Sequence, residues 1–273
     1  MVLVLFTIGS IAFTRIIART GLPEARTDAL KSVAIPAGTW ALGLLVPFIM
    51  ARLALQLDGM RFPGEPLTQS LRPLLEDTEW GKAWIAQLCF TLLAVVTLRF
   101  LPTVAALSVV GIALTFPYSG HAAAVEPDRL VALIADSFHV LSAGMWLGSL
   151  GIIALAWPVM NGAEERTRVV RAFSPVALTC AAVLALSGLS STLAHLSLTD
   201  LTTSSYGRTL LIKLAFVAAV LLSGWLNWKR NTARIATDEG AAIRAGMLRE
   251  LAFAFAVVLV TAVLVSTPPP GDQ

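Results

Sequence analysis

Eight apolar segments constrain what this chain can fold into: residues 2–17, 33–57, 84–99, 103–118, 130–157, 173–196, 206–228 and 248–267. A helix needs about 20 residues to cross about 30 Å of hydrocarbon. Lipid offers backbone groups no hydrogen-bond partners, so runs of this composition must be helices. The segments predict an all-α, polytopic bundle of about eight transmembrane helices, forming a single integral membrane domain over residues 1–273. The first, third and fourth segments are the shortest, and only Phe100, Leu101 and Pro102 part the third from the fourth. Composition agrees: 56% of residues are hydrophobic, 14% are charged and mean hydropathy is +0.77, well above soluble domains. The net charge of +3 is not gathered into a tract that would bind nucleic acid. The first run has no basic stretch ahead of it and no small-residue cleavage pattern behind it, so it reads as a span rather than a cleaved leader.

Basic residues set the orientation. The connections after the first, third, fifth and seventh segments carry Arg15, Arg19, Arg26 and Lys31; Arg99; Arg166, Arg168 and Arg171; and Lys229, Arg230, Arg234, Arg244 and Arg249. These are 13 of the chain's 20 basic residues. Positive charge marks the cytoplasmic side, so both termini are expected outside, with residues 58–81 as the one sizeable outer loop. Gly144 and Gly148 form a GxxxG pair, a pattern that lets membrane helices approach closely.

Polar side chains inside a membrane helix are costly, so each needs a partner or a role. By helical rise from Arg129 at the outer face, Asp136 lies roughly 10 Å deep and His139 roughly 15 Å deep, near the midplane. Their spacing of three puts them on one helical face, and Trp146 continues that stripe. Asp136 either orients His139, binds a cation beside it, or pairs with Lys213, which lies at the same depth seven residues past Tyr206. His121 and His195 fall at the outer ends of the fourth and sixth segments, so all three histidines occupy the outer half. Imidazole suits copper, zinc, iron and nickel, and thioether favours copper(I), which adds Met50, Met60 and Met145 as further candidate donors. Asn227 and Glu250 fall at inner segment ends, where an interfacial place lowers their cost. Cys89 and Cys180 sit at depths roughly 10 Å apart, too far for a disulfide, and read as two buried thiols.

Taken in order, GHA at Gly120–Ala122, D-x-x-H and W-x-G at Asp136, His139, Trp146 and Gly148, SGL at Ser187–Leu189, YGRxLLxK at Tyr206–Lys213, Asn227, Glu250 and TPPP at Thr267–Pro270 resemble the copper resistance protein D family. The motifs fall in residues 118–270; earlier segments resemble the family in topology. The resemblance implies an eight-span protein of the bacterial inner membrane, with copper as cargo and a periplasmic copper carrier of the CopC type as partner. It does not extend to His195.

Copper import is the leading expectation, with His139, His121, Asp136 and His195 as metal donors and Lys213, Met50, Met145, Tyr206 and Glu250 along the path or its gate. Whether the ion is copper(I) or copper(II) stays open. The chain lacks the phosphate-binding pattern G-x-x-x-x-G-K-[ST], and no enzymatic activity is expected. Two alternatives stand beside import: a haem-binding membrane redox protein, with two histidines as axial ligands, and a scaffold that hands copper on without transporting it.

Overall fold

The computed structural model describes residues 1–60, 66–119, 129–195, 200–234 and 240–267. Those residues are almost all helical, with no strand among them. The helices are α1 (Val2–Ile17), α2 (Glu24–Met60), α3 (Leu67–Asp77), α4 (Glu79–Thr97), α5 (Pro102–Thr115), α6 (Arg129–Ala143), α7 (Ser149–Ala156), α8 (Gly162–His195), α9 (Asp200–Thr203), α10 (Ser205–Arg234) and α11 (Gly240–Ser266). A π-helical turn, Gly144–Gly148, joins α6 to α7 into one rod.

Six helices are long and apolar enough to cross a membrane: Glu24–Met60, Glu79–Thr97, Arg129–Val159, Gly162–Leu189, Ser205–Lys229 and Ala241–Ser266. Two more, Val2–Ile17 and Pro102–Tyr118, are apolar but shorter. Pro102 opens α5 at its first turn, where the missing N–H has no intrahelical partner to lose.

Buried positions follow the helical period. On α2 they are Leu30, Ala34, Gly38, Ala41, Leu42, Leu45, Ile49, Leu53 and Leu57. Trp40, Leu44, Phe48 and Leu55 point away from that stripe and are exposed, as a lipid-facing surface would be. Short α1 is buried over much of its length and reaches both cores. Val4 and Ile8 join one apolar core with α2, α4 and α5, while Phe13, Ile16 and Ile17 join a second with α7, α8 and α11. Its entry depends on glycine. A Cβ on Gly9 would strike the backbone of Gly148, and one on Gly148 would strike the carbonyl oxygen of Leu5. The GxxxG pair is thus the seat of α1.

Two ion pairs mark opposite ends of the bundle. At one, Nε and Nη2 of Arg26 hold Glu165, with Nε to Oε2 at 3.0 Å and Nη2 to Oε1 at 3.1 Å, and Nη2 also donates to the Val159 carbonyl. This ties the first turn of α2 to the first turn of α8 and the turn before it. At the other end Arg129 pairs with Glu79, bringing the starts of α4 and α6 together.

Two expectations are corrected. Residues 58–81 are not simply a loop, because α3 forms within them. Leu71, Leu74 and Leu75 recur at helical spacing and pack on the core of α2 and α4. Thr78 then turns the chain, donating to the Leu74 carbonyl and accepting from the Gly81 N–H. Cys89 is exposed on α4, whereas Cys180 is buried, since α4 turns Cys89 away from its buried line Trp84, Gln87, Thr91 and Ala94.

Candidate functional site

Three helices bring polar side chains together in the half of the bundle that begins at Arg129. Asp136 and His139 come from α6, one helical turn apart, and both are half-buried. Across from them, α8 supplies Ser187, whose Oγ lies 2.8 Å from Nδ1 of His139. Lys213 comes from α10 and acts electrostatically on both Asp136 and His139. Gly188 lies beside the imidazole: a Cβ there would sit 3.9 Å from Cε1 of His139, in ordinary van der Waals contact.

The Ser187 contact decides what His139 can do. The Ser187 hydroxyl donates to the Val183 carbonyl at 2.8 Å, as a serine in a membrane helix usually does toward the preceding turn. Its proton committed, Oγ accepts from His139, which puts the imidazole proton on Nδ1. The Nε2 lone pair, with no protein partner among the described residues, is then available to a metal ion. Fixing one ring nitrogen so that the other ligates is how histidine ligands are ordinarily oriented.

Asp136 and Lys213 interact electrostatically without closing to a direct ion pair within 4.0 Å. The shared depth inferred from spacing therefore corresponds to real proximity, but the carboxylate is not locked to the ammonium. Tyr206, 8% exposed, packs with Leu210 and Leu264 where α10 meets α11, below the start of α10.

Other candidates do not gather here. Met50 and Met145 are exposed, as is Met60. Met50 lies off the buried stripe of α2, and Met145 turns outward from the π turn. His121 lies outside the described residues. His195 ends α8, and its side chain is likewise outside them. Among the described residues no three His, Cys, Asp or Glu side chains cluster around one point. The haem alternative needs two imidazoles facing one iron, and His139 is the only one whose surroundings are described.

A second polar group lies deeper along the rod. Asn227 Nδ2 donates to Glu250 Oε2 at 3.2 Å, and the Trp146 indole stands close to the Glu250 carboxylate. Glu250 is 4% exposed and lies ten residues into α11, which begins at Gly240. Sequence reasoning missed both this contact and the role of Ser187, although Ser187 stood in the SGL motif and Trp146 on the stripe of His139.

Fold and site together define a multi-pass α-helical membrane protein with an imidazole and a carboxylate inside its bundle. The chain belongs to the copper resistance protein D family. Residues 167–265 match the family model described as "Copper resistance protein D", and residues 1–131 match "Copper resistance protein D-like, N-terminal domain". The first half thus carries a family signal that its apolar helices alone did not reveal. The chain is 29% identical over 217 residues to "Copper transport protein CutJ" of Bacillus subtilis (strain 168), a match covering 74% of this chain and 39% of the relative. It spans about two fifths of that relative's length. No solved structure matches it.

Proposed function

We propose that this protein imports copper across the bacterial inner membrane, from periplasm to cytoplasm, through eight membrane passes with both termini in the periplasm. The ion is taken up in the outer half and held by His139 Nε2 with Asp136 beside it. His121 and His195 deliver it from the outer boundary, and Lys213 gates its passage by charge. A periplasmic copper carrier of the CopC type is the proposed donor.

The carrying observation is the bond from His139 Nδ1 to Ser187, which leaves a metal-competent lone pair inside a membrane helix with a carboxylate one turn away. Family membership supports copper as the ion, and an imidazole donor suits it. The bias of basic residues toward the ends of odd-numbered segments supports the orientation. Copper uptake into proteoliposomes containing the purified protein tests the reading. Uptake that exceeds protein-free vesicles and falls in His139→Ala supports transport; copper binding without uptake would leave a transfer scaffold instead.

A further inference from the structure

Glu250 is a carboxyl group in the bundle interior whose hydrogen bond among the described residues comes from a neutral donor. Asn227 on α10 supplies it, and Trp146 in the π turn stands close by. The charged groups on surrounding elements are engaged elsewhere or point out. Arg244 on α11 donates Nε to the Ala154 carbonyl, Arg249 is exposed, Lys229 on α10 lies over the Trp225 ring, and Arg166 on α8 lies over Trp157. Cys180 of α8 lies in the apolar core that Trp146 and Met247 share. No ion pair reaches Glu250 among the described residues.

Glycine builds the space. A Cβ on Gly224 would press to 3.3 Å from Glu250 Oε1, and one on Gly246 would collide with the Asn227 carboxamide. Both substitutions would force the pair apart, so α10 and α11 are shaped around this contact.

A buried carboxylate without a cationic partner keeps most of its desolvation penalty, so a positive species relieves it. One carboxylate and one amide form a hard, sparse donor set, poorly matched to soft copper(I) and too few for a divalent ion. A proton satisfies the site with no further ligand.

We propose that Glu250 is a proton-binding site within the membrane, linked to the outer site through Trp146. Trp146 lies seven residues past His139 on the same rod, inside the π turn, and shares a core with Met247 and Ala254 of α11, so a shift of α6 on loading His139 moves the indole beside Glu250. π turns interrupt the regular helix ladder and recur at functional positions. The role of this proton rests on the transport reading. As copper passes inward, the Glu250 O–H bond breaks and the proton leaves to inner water; once the ion has gone, the carboxylate takes a proton back from the same inner water.

Infrared difference spectra of the full chain in lipid vesicles, taken across a pH titration, test the site itself. The expected result is a carboxylic C=O band that vanishes at alkaline pH, disappears in Glu250→Gln and shifts its midpoint in Trp146→Phe. A wild type without that band, or a Glu250→Gln protein that keeps it in full, overturns the proposal. In proteoliposomes, Glu250→Gln should bind copper as wild type does while its uptake loses the wild-type dependence on pH. An unchanged pH profile overturns the link to transport. If wild type takes up no copper at all, the transport reading fails, while the infrared result still decides whether Glu250 carries the proton.

Discussion

His139 Nδ1 and Ser187 Oγ stand 2.8 Å apart, joining α6 to α8 at mid-bundle. Because the Ser187 proton goes to the Val183 carbonyl, this contact orients the imidazole and selects its tautomer. Ser187→Ala should lower copper affinity by about 10- to 100-fold, the usual effect of losing a hydrogen bond behind a metal-binding histidine. Ser187→Thr, which keeps the hydroxyl, should restore most of it. Chelator competition on the purified variants measures both.

Asp136 and Lys213 are close enough to feel each other's charge but do not form a direct pair. In the proposed function Asp136 serves the cation rather than neutralising Lys213. Asp136→Asn should abolish most uptake, and adding Lys213→Met should not rescue it. Recovery in the double variant, measured as copper accumulation at matched protein levels, would assign Asp136 to charge balance instead. Lys213→Met alone should change accumulation, because it removes a fixed positive charge beside the ion's position.

Much of this arrangement was legible in the sequence. All eight apolar segments are helical, since hydropathy reports directly what lipid demands of the backbone. Asp136 and His139 share a face because residues three apart on a helix must. Contacts between helices were harder to read. Ser187 lies 48 residues from His139, and no local periodicity links them. The hydrophobic run begins beside Glu250, whereas α11 starts a full ten residues earlier, so its burial against α10 was not legible from hydropathy. The helix in residues 58–81 was hidden by its prolines: Pro66 lies at the N-cap and Pro73 within α3, so both looked like loop signals.

The close approach of α1 to the π turn predicts a graded response to added methyl groups. Gly9→Ala and Gly148→Ala meet backbone, which cannot step aside, so each should lose at least the roughly 1–3 kcal/mol typical of overpacking. Gly43→Ala, which faces open space, should be neutral. Thermal unfolding in detergent compares the three.

Glu165 is 5% exposed and is held by Arg26 and by the Asn161 N–H. Arg26→Ala leaves that carboxylate buried with its cation gone, at a cost on the order of 3–5 kcal/mol for a buried pair broken on one side. Arg26→Ala with Glu165→Gln should recover part of the loss. A double-mutant cycle on thermal stability measures the coupling.

The central claim is that His139 Nε2, freed by the Ser187 contact, binds the copper that this protein carries. Copper content per protein, determined on purified wild type and His139→Ala loaded under the same conditions, tests it most directly, with an absorbance spectrum of each sample. The account predicts that wild type retains copper, that His139→Ala loses most of it, and that neither shows a Soret band. Equal copper in the two proteins would remove His139 from the site, and a Soret band in wild type would replace copper with haem.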